Sequence, residues 1–147
     1  MDNAITDLLD AIVPELGTLL SDIRFWMGLA MLIGPILMML SGAYYYYLSP
    51  KEANHKAGYR TYYGMGSVSA WKFTQGLAGK VWGFLGAGLA VAGIVGCIIM
   101  ATQAPEKVVI PGLVILILEV VGVIAGFAVI EITVYRRFDA NGNLKEK

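Results

Sequence analysis

Three apolar runs, 25–48, 81–101 and 108–135, leave this chain few ways to fold. At 1.5 Å per residue they are about 36, 31 and 42 Å long as helices, against about 30 Å of bilayer hydrocarbon. A segment in lipid must satisfy its own backbone polar groups, so each run is expected to cross as a helix. Composition agrees. Hydrophobic residues make up 57% of the chain and charged ones 15%, where a soluble domain has about 25% charged. Mean hydropathy is +0.66. The expected fold is an all-α integral membrane protein: three transmembrane helices plus an N-terminal amphipathic helix.

The organisation expected is an acidic leader helix over 1–24, a three-span domain over 25–137 and a polar tail over 138–147. In the leader, Ile5, Leu8, Leu9, Ile12, Leu16, Leu19, Leu20 and Ile23 recur at helical steps, with Asp2, Asp7, Asp10 and Asp22 elsewhere. Pro14 should bend or split this helix. It is too polar to span and fits the bilayer surface or an interhelical groove. No secretory signal pattern is present, because the first apolar run follows an acidic rather than a basic stretch.

Within the spans, Pro35 is expected to kink the first helix. Tyr44, Tyr45, Tyr46 and Tyr47 close it and point all round, as an aromatic belt does. Ser49-Pro50 stops it. Ser67 should cap a restarted short helix lying along the interface, with Trp71, Gln75, Ala78 and Trp82 on one face. Gly76 and Gly79 would let that helix bend into the second span. That span carries two small-residue ridges, Gly86/Ala90/Gly93/Cys97 and Gly88/Ala92/Gly96. A third, Gly122/Gly126, lies on the last span. Such ridges permit close helix approach within the chain or with a second copy. Pro111 suits the first turn of the third span, Arg136-Arg137 ends it, and the tail reads as loose.

Basic residues set an expected orientation. Lys51, Lys56, Arg60, Lys72 and Lys80 lie between spans one and two, and Arg136, Arg137, Lys145 and Lys147 follow span three. Only Arg24 and Lys107 lie on the other side. Nine against two places the 49–80 connection and the C-terminus in the cytoplasm and the N-terminus outside.

Glu119 falls near the bilayer midplane, where an isolated charge costs about 2.5–3.5 kcal/mol. It is either a functional group or an interhelical hydrogen bond that fixes packing. Glu131 can reach the interface and pair with Arg60 or Arg136. Arg60 is a planar donor fork for carboxylate or phosphate. Together with Lys72 and the free N–H groups of a helix starting at Ser67, it could hold a lipid phosphate or anchor a protein carboxylate. Trp71 is expected in the headgroup layer. His55 and Cys97 have no partner at catalytic or metal-ligand spacing. No nucleotide loop is present, and zero net charge gives no field for nucleic acid. No cofactor, metal or enzymatic activity is expected.

The connection itself carries a pattern: Asn54, then Gly58-Tyr-Arg60-Thr61, then Ser67, Trp71-Lys72, Thr74 and Leu77-Ala78-Gly79-Lys80. This resembles the signature of the SdpI family of bacterial membrane proteins, over roughly residues 26–135. The resemblance implies a multi-pass protein of the bacterial cytoplasmic membrane. It also implies a role in immunity to a secreted peptide toxin, with signalling through a cytoplasmic repressor. Longer family members carry further spans before this unit. Asn54, Gly58, Arg60, Thr61, Ser67, Trp71, Lys72 and Lys80 are then the binding or anchoring residues, and Glu119 and Glu131 the intramembrane polar ones. The expected partners are membrane lipids, a peptide toxin or membrane protein, and a second copy of the chain. The favoured function is binding. The alternatives are an oligomerising structural subunit and proton- or ion-coupled transport through Glu119.

Overall fold

The computed structural model describes residues 22–146, together with Ile5, Ile12, Pro14 and Thr18. Apart from those four residues and 22–24, the leader helix expected over 1–24 lies outside the described residues. Three long helices make up the rest: α1 (Ile23–Ala43), α2 (Val68–Ala101) and α3 (Val109–Arg137). A π-helical turn, Tyr44–Leu48, extends α1, and a 3-10 turn, Pro105–Lys107, precedes α3. With these turns, all three are long and apolar enough to cross a membrane. In each, only 17% of the most apolar window is buried inside the protein. The remaining apolar surface therefore needs lipid around it.

Each helix end has a local cause. Asp22 caps α1 by accepting from the Arg24 N–H at 2.9 Å, and its carboxylate also pairs with the Arg24 side chain at 2.5 Å. Ser49 is extended, as the residue before a proline must be, and α1 ends there. Pro35 is buried inside α1 without ending it. Ser67 caps α2, its Oγ accepting from the Ala70 N–H at 3.1 Å.

Two expectations fail. No separate interfacial helix precedes the second span: Val68–Ala101 is one helix of 34 residues, about 51 Å long. Gly76 costs helix propensity but meets no break, because the neighbouring turns are buried through Trp71, Thr74, Gln75, Ala78 and Gly79. Nor is the tail loose. The Asp139 N–H donates to Asn143 O at 2.9 Å, and Lys145 N–H to Arg137 O at 3.0 Å. Phe138 is buried, and Lys145 Nζ lies 4.1 Å over the Tyr135 ring. A buried aromatic and an anchored lysine fold these polar residues back onto the helices.

Small residues set the packing. On α1, Gly28, Pro35 and Gly42 are seven apart; on α2, Gly79, Gly86 and Gly93 are seven apart. Seven residues are two turns, so each series makes one stripe. A Cβ on Gly42 would lie 2.5 Å from the Gly83 nitrogen, one on Gly86 2.8 Å from Pro35 O, and one on Gly93 2.9 Å from Met31 O. The α1 and α2 backbones are therefore in contact along the pair. The Gly122/Gly126 ridge is filled from within: Leu85 and Leu89 sit over Gly122, and Trp82 and Leu85 over Gly126. Of the ridge Gly88/Ala92/Gly96, only Gly96 is buried, against Ile115 and Met31, while Gly88 and Ala92 face outward. Apolar clusters close both ends, Met27, Met31, Met100 and Val108 at one, and Tyr59, Ala70, Trp82, Val134 and Phe138 among those at the other.

Candidate functional site

The 49–67 connection folds over the projecting first turns of α2. Asn54 Oδ1 accepts from the backbone N–H groups of Lys56 (2.9 Å) and Ala57 (2.8 Å), a side-chain turn that reverses the chain. Gly58 follows at φ +97°, where L side chains are disfavoured, and a Cβ there would lie 2.6 Å from Trp71 Cζ2. Tyr59 comes next. Its N–H donates to Gln75 Oε1 at 2.8 Å, and its carbonyl accepts from Gln75 Nε2 at 2.7 Å. One amide side chain thus satisfies both backbone groups of a buried loop residue, as a neighbouring strand would.

The Tyr59 ring lies between Tyr45, 5.6 Å away and edge-on, and Phe127, 6.0 Å away and stacked. Its hydroxyl is buried without a hydrogen-bond partner among the described residues. Burial, then the charge of Glu131, pushes its pKa up, so it stays a neutral phenol. Thr61 is buried and accepts from the Gly64 N–H at 2.8 Å. A Cβ on Gly64 would lie 2.5 Å from the hydroxyl oxygens of both Thr61 and Thr74. Trp71 is not in a headgroup layer. It is fully buried, with Nε1 donating to Pro50 O at 2.7 Å, because it fills the loop's interior beneath Gly58.

Asn54, Gly58, Thr61, Ser67 and Trp71 therefore build the loop. Arg60, Lys72 and Lys80 face outward. Arg60 Nη1 donates to His55 O at 2.7 Å, so one arm of the fork tightens the loop from outside. Beside it, His55, Arg60, Tyr62, Met65 and Ala140 border a shallow depression of about 610 Å³. The N-terminus of α2 is not open to an anion. Ser67 Oγ donates to Gly142 O at 2.7 Å, and the Gly142 backbone packs on Ser67 and Gly66. The folded tail occupies that space.

Within the spans, Glu119 is 7% exposed and packs against α1. A Cβ on Gly34 would lie 2.7 Å from its Oε2, and Oε1 has no partner among the described residues. The glycine is the notch that admits the carboxyl group. Glu131 is exposed and forms no ion pair with Arg60 or Arg136; among the described residues Arg24–Asp22 is the one such pair. Gln75 was the residue that sequence reasoning passed over. Its signal was present: an amide on the same helical face as Trp71, Ala78 and Trp82 must find partners when that face is buried.

The model of the SdpI/YfhL protein family matches residues 51–132. This is more than half of the chain, and it takes in all of α2 and the loop residues described above. The chain belongs to the SdpI family. No curated protein and no solved structure matches it. In this SdpI-family protein the match begins just after α1 and its π-turn, and it ends before the Arg136-Arg137 pair and the folded tail. With three span-capable helices, the protein is a multi-pass membrane protein of the SdpI type.

Proposed function

We propose that this SdpI-family protein works by binding rather than catalysis, as an immunity or sensor protein of a bacterial cytoplasmic membrane. Its ligand is a membrane-active peptide or a membrane protein partner. The supporting observation is the division of labour in the loop. Asn54, Gly58, Gln75 and Trp71 hold it rigid from inside, and Arg60 and His55 stand at a shallow outward-facing depression. A pre-ordered surface with a donor fork suits recognition of carboxylate or phosphate groups. The nine-to-two charge bias supports a cytoplasmic position for this surface, which favours reporting to a cytoplasmic partner.

The test is protection of a host lacking the protein against membrane-active peptides, with thermal stability in detergent measured alongside. The variants are Arg60→Ala and Arg60→Lys. Arg60 makes one exposed bond to a carbonyl, so each should lower stability by no more than about 1.5 kcal/mol. Both should lose protection if the fork recognises a ligand, because lysine cannot reproduce two parallel donors. Full protection in both variants would remove the reading.

A second reading is proton- or ion-coupled transport, favoured by the buried Glu119 carboxyl with its unpartnered oxygen. Glu119→Gln keeps the shape and removes the titrating group. Loss of a proton-dependent flux in liposomes, with stability kept, would select transport. An unchanged protein would make Glu119 a packing group. The third alternative, a structural subunit that oligomerises, rests on the outward-facing Gly88 and Ala92.

A further inference from the structure

We propose that the groove between the end of α1 and the middle of α2 is a binding site for one anionic phospholipid, its phosphate held by Lys80 and one acyl chain lying along the groove. The groove has a volume of about 460 Å³, inside the range of about 300–1,000 Å³ usual for sites that take small organic ligands. Its floor is backbone. The helices touch at Gly42 and Gly83, yet a Cβ on Gly83 itself would meet nothing within 4 Å. A side chain is missing where the surface dips, so the close helix contact leaves a depression that nothing in the chain fills at Gly83.

Polar groups lie at one end only. Lys80, Tyr46 and Tyr47 line the groove there, and Met39, Gly83 and Ala87 line it further along. Lys80 is exposed, with no ion-pair or hydrogen-bond partner among the described residues. It directly precedes the apolar run that starts at Val81. It therefore sits where hydrocarbon gives way to headgroups, level with Tyr46, whose backbone and Cβ adjoin Gly79. Phenols and a lysine at that depth meet phosphate oxygens, and the apolar walls below meet a chain. A protein helix could fill the apolar part but would leave Lys80 unmatched. Lys80, an unpaired cation at the mouth among the described residues, favours the anionic lipid.

The experiment uses the full-length protein, stripped of lipid in mild detergent and titrated with phosphatidylglycerol or phosphatidylcholine, with bound species counted by native mass spectrometry. Wild type should retain one phosphatidylglycerol in preference to phosphatidylcholine. Lys80→Gln should weaken phosphatidylglycerol binding about fivefold and leave phosphatidylcholine unchanged, the effect of one basic residue near an anionic surface. Gly83→Leu should fill the groove and abolish the retained lipid, and Ala87→Leu does the same one turn further along. Gly88→Leu, which also projects into open space, is the control for added bulk and should bind as wild type. Equal binding of both lipids, or retention of phosphatidylglycerol by folded Gly83→Leu and Ala87→Leu, would overturn the site. A dimer lost in Gly83→Leu, with no retained lipid, would assign the groove to a second copy and overturn it equally.

Discussion

Gln75 of α2 holds Tyr59 of the loop by both backbone polar groups, N–H to Oε1 at 2.8 Å and carbonyl to Nε2 at 2.7 Å. The pair ties a membrane-spanning helix to the connection that bears Arg60. Because Tyr59 and Gln75 are both buried, neither backbone group can turn to water if the amide is lost. The loop and α2 should therefore loosen together, and the exposed Arg60 face with them.

Replacing Gln75 tests that coupling. Gln75→Ala leaves two buried backbone groups unpaired and should cost about 1–3 kcal/mol or more. Gln75→Glu keeps an acceptor for the Tyr59 N–H but sets a carboxylate oxygen against its carbonyl, so it should be no better. Thermal melts in detergent read both. A Gln75→Glu protein as stable as wild type would show that the clamp carries no weight.

Glycines of the same helix–loop unit should respond in opposite ways. Gly58→Ala places a Cβ at φ +97° and against the Trp71 ring, and should lose about 1–3 kcal/mol. Gly83→Ala meets open space and removes a helix-weakening glycine, so stability should hold or rise by up to about 1 kcal/mol. Equal melting temperatures for the two would contradict the packing.

Sidedness is open to labelling. Ala53 and Ala104 are both exposed, on opposite ends of α2. In a Cys97→Ala background, Ala53→Cys should be shielded from an impermeant maleimide added to intact cells, and Ala104→Cys should react. The reverse pattern would overturn the orientation drawn from the basic residues.

The two small-residue faces should separate cleanly. Gly126→Leu collides with Trp82 and Leu85 and should unfold or strongly destabilise the monomer. Gly88→Leu should leave the monomer stable and lower oligomer mass if copies associate through Gly88 and Ala92. Mass measurement after purification decides this. A wild type that is monomeric in several detergents leaves that face to lipid.

The tail should respond to acid. Hydrogen bonds from the Asn143 backbone, followed by the Asn143 side chain and the Asn141 backbone, hold the Asp139 carboxyl below its ordinary value of 3.8. A depressed folded-state pKa contributes stability above the unfolded value and loses it as pH falls through the folded one. Amide exchange at Asn141 and Asn143 should therefore accelerate below about pH 3.8, and Asp139→Asn should exchange faster already at neutral pH. Exchange that stays slow and flat down to pH 2 would count against the carboxylate as the tail's organiser.

Span number and class were legible in the chain, because twenty or more consecutive apolar residues have one stable form in lipid whatever surrounds them. The family pattern was legible too, since Asn54, Gly58-x-Arg60-Thr61 and Trp71-Lys72 are local in sequence. Ser67 as the cap of α2 was also local, needing only its own side chain and the next turn. Tertiary structure decided the rest. Whether α2 bends at Gly76 and Gly79 depends on what covers the adjacent turns, and Trp71, Thr74 and Gln75 are buried there. Whether Trp71 meets lipid or loop depends on Gly58 passing over it. The tail's polar composition could not reveal that Phe138 is buried and that Gly142 closes the start of α2. Each of these outcomes joins residues far apart along the chain, so no local propensity carries it. The partner of each buried face exists only once three helices have chosen which of their glycines to press together.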